Sequence, residues 1–225
     1  GDDGRRLEIA PALAEQASRF LVTMARRYQV VILGGGFPVP VGDDAHTFQR
    51  AQLVGRDGQI LSSYDKIHLF DVDLPDGSSY RESAGFSSGA ELPPVVDVPG
   101  LCRVGVSICY DVRFPELYRH LIGAGAELLM IPAAFTAFTG KDHWQVLLQA
   151  RAIENTAYVL APAQTGTHAG RRQSHGHAMV IDPWGTVLAD AGVSAGAAIA
   201  PVDLDHLQRI RTQMPCLQHR RTALF

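Results

Sequence analysis

The feature that most limits what this chain can fold into is an alternation of apolar patterns between residues 103 and 161. Residues 103–108 form a run rich in β-branched side chains, 114–122 carry helical spacing, and 127–131 are apolar again. Asp142, with Gln145 three residues on, can cap a second helix that runs to about Asn155, and 157–161 is a further strand-like run. Two successive β-α-β units of this kind require helices packed against a sheet.

Around this block the pattern is mixed. Leu13, Ala17, Phe20, Leu21 and Met24 recur at helical spacing within residues 7–28, and 30–33 predict a short strand ending at Gly34-Gly35-Gly36. Residues 47–54 and 60–64 flank Arg56-Asp57-Gly58-Gln59, whose Asp-Gly step suits a tight hairpin turn. Residues 71–94, rich in Ser, Gly, Asp and Pro, predict a long irregular loop of the kind that carries function. Residues 178–182 and 186–190 flank Pro183-Trp184-Gly185, a turn. With no repeat and no linker, the expectation is one layered α/β domain spanning residues 1–225.

At 225 residues, 46% hydrophobic and 19% charged, the chain can bury a substantial core. A net charge of -3 offers no general attraction for phosphate backbones or anionic lipid, and no apolar run approaches the roughly 18 residues that span a bilayer. Nucleic acid and membrane are therefore not expected as partners, and a cytoplasmic location is. The three cysteines, Cys102, Cys109 and Cys216, match no metal-ligand or CxxC spacing and read as free thiols.

Cys109 follows the apolar strand 104–108 and precedes Tyr110-Asp111-Val112-Arg113-Phe114-Pro115-Glu116. Pro115 suits a first helical turn, which would bring free backbone N–H groups near the sulfur and favour its thiolate. By residue type alone such a cysteine is a buried structural thiol, so its partners decide the matter. Lys66, at the end of the second hairpin strand, would lower the pKa of a nearby thiol and stabilise an oxyanion. Glu82, across the long loop, would orient that lysine.

Two segments, Tyr64-Asp65-Lys66-Ile67-His68-Leu69 and Ser107-Ile108-Cys109-Tyr110-Asp111-Val112-Arg113-Phe114-Pro115-Glu116-Leu117, resemble the lysine and cysteine signatures of the nitrilase (carbon–nitrogen hydrolase) superfamily. His143-Trp144, residues 151–155, Gly176-His177 and Asp182-Pro183-Trp184-Gly185 resemble it too, so the likeness covers essentially the whole chain. The resemblance implies a four-layer α-β-β-α sandwich and a homodimer paired helix to helix. It also implies hydrolysis of a small-molecule amide with no metal or organic cofactor. Cys109 takes the place of the nucleophile, Lys66 that of the catalytic lysine and Glu82 that of its supporting glutamate, while the backbone N–H of Tyr110 helps to hold the oxyanion.

The family's first glutamate ends a strand in a Leu-Pro-Glu-type motif ahead of the helix at 7–28. It is expected upstream of Gly1, together with N-terminal strands of the sandwich. The corresponding expectation is an active full protein, and a segment that is inactive alone and poorly stable because a sheet edge is uncovered. The segments 114–117, 132–135, 163–168 and 218–221 look most like a branch that cleaves deaminated glutathione to 2-oxoglutarate and cysteinylglycine. The omega-amidase branch is the rival, and a non-catalytic binding protein is the alternative if the upstream glutamate is absent.

Arg113 and the pair Arg171-Arg172 are candidates for reading carboxylates, the alternatives being a brace to Glu116 or Asp111 and a solvated loop. Phe135, in a turn after a buried strand, is a candidate pocket wall or a core residue. His175 and His177, two apart on a strand, would share a face, but no third ligand accompanies them. Trp144 and Trp184 read as packing residues.

Overall fold

A computed structural model describes residues 3–42, 45–168 and 172–224. The elements run α1 (Asp3–Tyr28), β1 (Ile32–Pro40), β2 (Thr47–Val54), β3 (Ile60–Asp65), β4 (Asp71–Asp73), β5 (Ser79–Arg81), β6 (Val95–Asp97) and β7 (Arg103–Val106). Then follow α2 (Pro115–Gly123), β8 (Leu128–Met130), α3 (Ala137–Asn155), β9 (Tyr158–Ala161), β10 (Thr165–Thr167), β11 (Gln173–His175), β12 (Met179–Ile181), β13 (Val187–Asp190) and α4 (Leu204–Gln213).

Two sheets dominate. β1, β2 and β3 form an antiparallel meander, and the larger sheet has the order β13-β12-β9-β8-β7-β6. Its centre, β7-β8-β9, is parallel and its flanks antiparallel, so the two crossovers through α2 and α3 sit where the sequence alternation places them. The layers follow from three apolar clusters. Leu21 and Ala25 of α1 pack on Val54, and Ala51, Leu53 and Tyr64 of the small sheet meet Val104, Val106 and Leu128 of the large one. On the far side Leu117, Leu121, Trp144, Leu148 and Ala152 cover Leu129, Val159 and Ile181. The result is helix, sheet, sheet, helix: the α-β-β-α sandwich. Among the described residues, no helix is long and apolar enough to cross a membrane.

Four details depart from the sequence reading. β1 does not stop at its glycines but continues to Pro40 through an irregularity between Gly34 and Phe37. Gly34 and Gly35 let that strand approach Leu21 and Pro132 more closely than any Cβ would allow. The loop at 71–94 contains a hairpin, β4 with β5, turned at Asp76-Gly77, where Asp76 accepts from the Ser78 backbone at 3.0 Å. α3 starts at Ala137, capped by the Thr136 hydroxyl, and Asp142 lies inside it. Trp144 is fully buried as a packing residue, whereas Trp184 is 58% exposed.

Candidate active site

The chain turns sharply after β7. Cys109 has φ +50, in the left-handed region that a non-glycine residue occupies at a cost of about 1–3 kcal/mol. Its backbone N–H donates to the Pro132 carbonyl at 2.9 Å, and Cys109–Arg113 form a 3-10 turn before α2 begins at Pro115. The sulfur therefore sits at the start of this short turn rather than of the helix.

Asp111 holds the turn to the strand that carries the lysine. Its fully buried carboxylate accepts from the Tyr64 hydroxyl and the Ile108 N–H, both at 2.8 Å, through one oxygen. The other oxygen meets the His68 Nδ1 at 2.7 Å and accepts from the His68 backbone N–H at 3.3 Å. His68 in turn stacks on Phe114, ring centroids 3.6 Å apart. The cysteine turn and the segment 64–68 are thereby clamped on either side of Cys109 and Lys66. Sequence reasoning missed this role of Asp111, Tyr64 and His68, because pairing across 43 to 47 residues leaves no local periodicity.

Lys66 is only 1% exposed, its backbone pinned between Gln49 and Gly89. Its ammonium donates to the Glu82 carboxylate, and the same carboxylate oxygen accepts from the Phe70 N–H at 2.6 Å. Cys109, Lys66 and Glu82 line one cavity of about 1240 Å³, with Tyr110 and Phe135 in its wall.

Burial pushes the Cys109 thiol up from its ordinary pKa. Lys66 and the Ala134 backbone N–H act in the opposite direction, and Glu82 and Asp111 add to the upward push. Burial thus opposes the thiolate that the sequence expectation favoured, while the ammonium and a backbone N–H favour it. Cys102 is also a free thiol, pushed up to about 11 chiefly by burial.

Arg113 does not itself line the cavity. It braces neither Glu116 nor Asp111 but meets the His143 ring nitrogen at 3.2 Å and lies over Phe135 at 5.2 Å and Tyr110 at 5.9 Å. Arg172 does line it, and Arg171 lies outside the described residues. β11 ends at His175, and the rings of His175 and His177 stack at 4.7 Å while His177 pairs with Asp190 at 2.8 Å. Among the described residues, no group of three potential metal ligands forms.

Residues 4–212, nearly the whole chain, match the carbon-nitrogen hydrolase family. This chain belongs to that family. Its relatives include the deaminated glutathione amidase of a Synechocystis species, 58% identical over 221 residues, which cover 98% of this chain and 81% of the relative. The NitFhit protein of Caenorhabditis elegans superposes with a TM-score of 0.92 at 40% identity, over 99% of this chain and 54% of that one. An amidase from a Nesterenkonia species, in a structure showing Michael addition of acrylamide at its active-site cysteine, superposes with a TM-score of 0.72 at 29% identity. That match covers 93% of this chain and 79% of the other. The carbon-nitrogen hydrolase family places the chain among hydrolases of carbon–nitrogen bonds other than peptide bonds.

Proposed function

We propose that this chain is a cysteine-dependent amidase that hydrolyses deaminated glutathione to 2-oxoglutarate and cysteinylglycine. The convergence of Cys109, Lys66 and Glu82 on one cavity carries the reading, and the 58% identity to a relative named for that activity supports the substrate. Burial raises the pKa of the Cys109 thiol, so a general base is needed to take its proton as the sulfur attacks the amide carbonyl. By the family resemblance, that base is a further glutamate.

The carbonyl oxygen gains charge facing the Lys66 ammonium and the Tyr110 backbone N–H, and Glu82 holds the ammonium in place. The tetrahedral intermediate collapses, the protonated base returns its proton to the departing amine, and an acyl thioester remains on Cys109. Water, activated by the same base, attacks the thioester and releases the carboxylic acid with the thiol restored.

The test uses the protein expressed from its complete reading frame, with release of 2-oxoglutarate followed from deaminated glutathione and from 2-oxoglutaramate. At least about tenfold higher kcat/KM on deaminated glutathione is expected, a difference of about 1.4 kcal/mol in transition-state binding. Preference for the primary amide would assign the omega-amidase activity, and hydrolysis of neither would leave a binding protein.

The protein is further proposed to be a cytoplasmic homodimer. A cytoplasmic setting suits its three free cysteines. An apolar patch supports pairing through α3: Val146, Ile153 and Trp184 are 64%, 51% and 58% exposed, and Ile153 lies against the Gly185 turn beside Trp184.

A further inference from the structure

The charged residues that line the cavity are mostly cationic. Arg6, Lys66, Arg81 and Arg172 line it, against Glu82 as the carboxylate among its described lining residues. Lys66 and Glu82 pair with each other. Arg81 is held by Asp73 through two contacts of 2.8 Å, and Arg6 lies over Phe86 at 4.6 Å. Arg172 is exposed, and its guanidinium rests 5.3 Å from the centre of the Tyr80 ring. A guanidinium over an aromatic face is held near the ring while its N–H groups remain available for a two-pronged grip on a carboxylate.

The wall between this guanidinium and the sulfur is aromatic and continuous. Tyr80 touches Phe70, with ring centroids 5.2 Å apart, and Phe70 touches Tyr110 at 4.9 Å, the residue that follows Cys109. The two ends are therefore joined by at most three such contacts. With the reacting carbonyl at the sulfur the acyl part lies on the other side, so the leaving amine alone, about 7 Å for two extended residues, runs from Cys109 along this wall toward the guanidinium. A primary amide of the same acid has no group to place at the outer end.

We propose that Arg172, oriented by Tyr80, binds the terminal carboxylate of a dipeptide leaving group, and so is the residue that selects peptide-like amides over primary amides. The inference rests on the amidase reading above and deepens it. It concerns binding of the leaving portion alone; the bonds made and broken at Cys109 are unchanged.

The test compares two substrates with the same 2-oxo-acid γ-acyl group and the same dipeptide amine, one ending in a free carboxylate and the other in a carboxamide. The quantity read is the ratio of kcat/KM for the two within each variant, which cancels any general loss of active protein. In the unsubstituted protein the carboxylate form is expected to be favoured roughly tenfold or more, chiefly through KM, as for a charge-assisted hydrogen-bonded pair. Arg172→Ala should bring the ratio near one, and Arg172→Lys should restore it only in part, because a point charge lacks the fork. Tyr80→Leu should lower the ratio and Tyr80→Phe should preserve it.

Equal efficiency on both substrates in the unsubstituted protein, or undiminished discrimination in Arg172→Ala, would overturn the role of Arg172 while leaving the amidase reading standing. Hydrolysis of neither substrate would overturn that reading and this inference with it.

Discussion

At the residue scale, the site is governed by competition over one proton. Burial raises the pKa of the Cys109 thiol, and Lys66 is the side chain that opposes it. Replacing Lys66 with Met removes that opposition, so the thiolate forms only at higher pH. Alkylation of Cys109 by iodoacetamide, followed by peptide mass spectrometry across a pH series, should show its midpoint displaced upward in Lys66→Met, with amidase turnover about 10²–10³-fold lower through loss of an oxyanion partner. An unmoved midpoint would mean that the ammonium does not act on the sulfur. Cys109, Lys66 and Glu82 were legible in the sequence because each sits in a short distinctive segment. The clamp through Asp111 was not, since a buried carboxylate next to an arginine in sequence invites a local ion pair that the structure does not make.

At the element scale, the long crossovers were legible and the short devices were not. α2 and α3 are long enough for helical periodicity to register, and β8 and β9 are apolar and largely buried. By contrast β4 (Asp71-Val72-Asp73) and β5 (Ser79-Tyr80-Arg81) are short, largely exposed and polar, which reads as loop. The start of α3 was misplaced because Asp142-Gln145 has a capping signature inside the helix that Thr136 caps. The end of α3 carries a testable cost. Thr156 closes the helix at φ +42, a left-handed conformation disfavoured for a β-branched residue, and its buried hydroxyl has no hydrogen-bond partner among the described residues. Thr156→Gly should therefore stabilise the fold by about 1 kcal/mol, seen as a rise of about 2–4 °C in Tm by calorimetry. A fall in Tm would show that the side chain's packing outweighs the backbone strain.

At the scale of the whole molecule, the sandwich brings Lys66 from the end of one sheet, Cys109 from beyond the end of the other and Glu82 from the hairpin loop to a common cavity. The same arrangement leaves α3 outermost, with Val146 and Ile153 facing solvent. Placing an aspartate at Val146 should convert the proposed dimer to monomer in sedimentation velocity, and an unsubstituted protein that is already monomeric at micromolar concentration would remove the dimer from the account. The central claim is that catalysis passes through a thioester on Cys109. Rapid acid quenching of the protein during turnover, followed by mass spectrometry of the peptide containing Cys109, tests it most directly. The account predicts a mass increase equal to the acyl group, absent when Cys109→Ala is treated alike; undiminished turnover by Cys109→Ala, or an acyl group found on another residue, would contradict it.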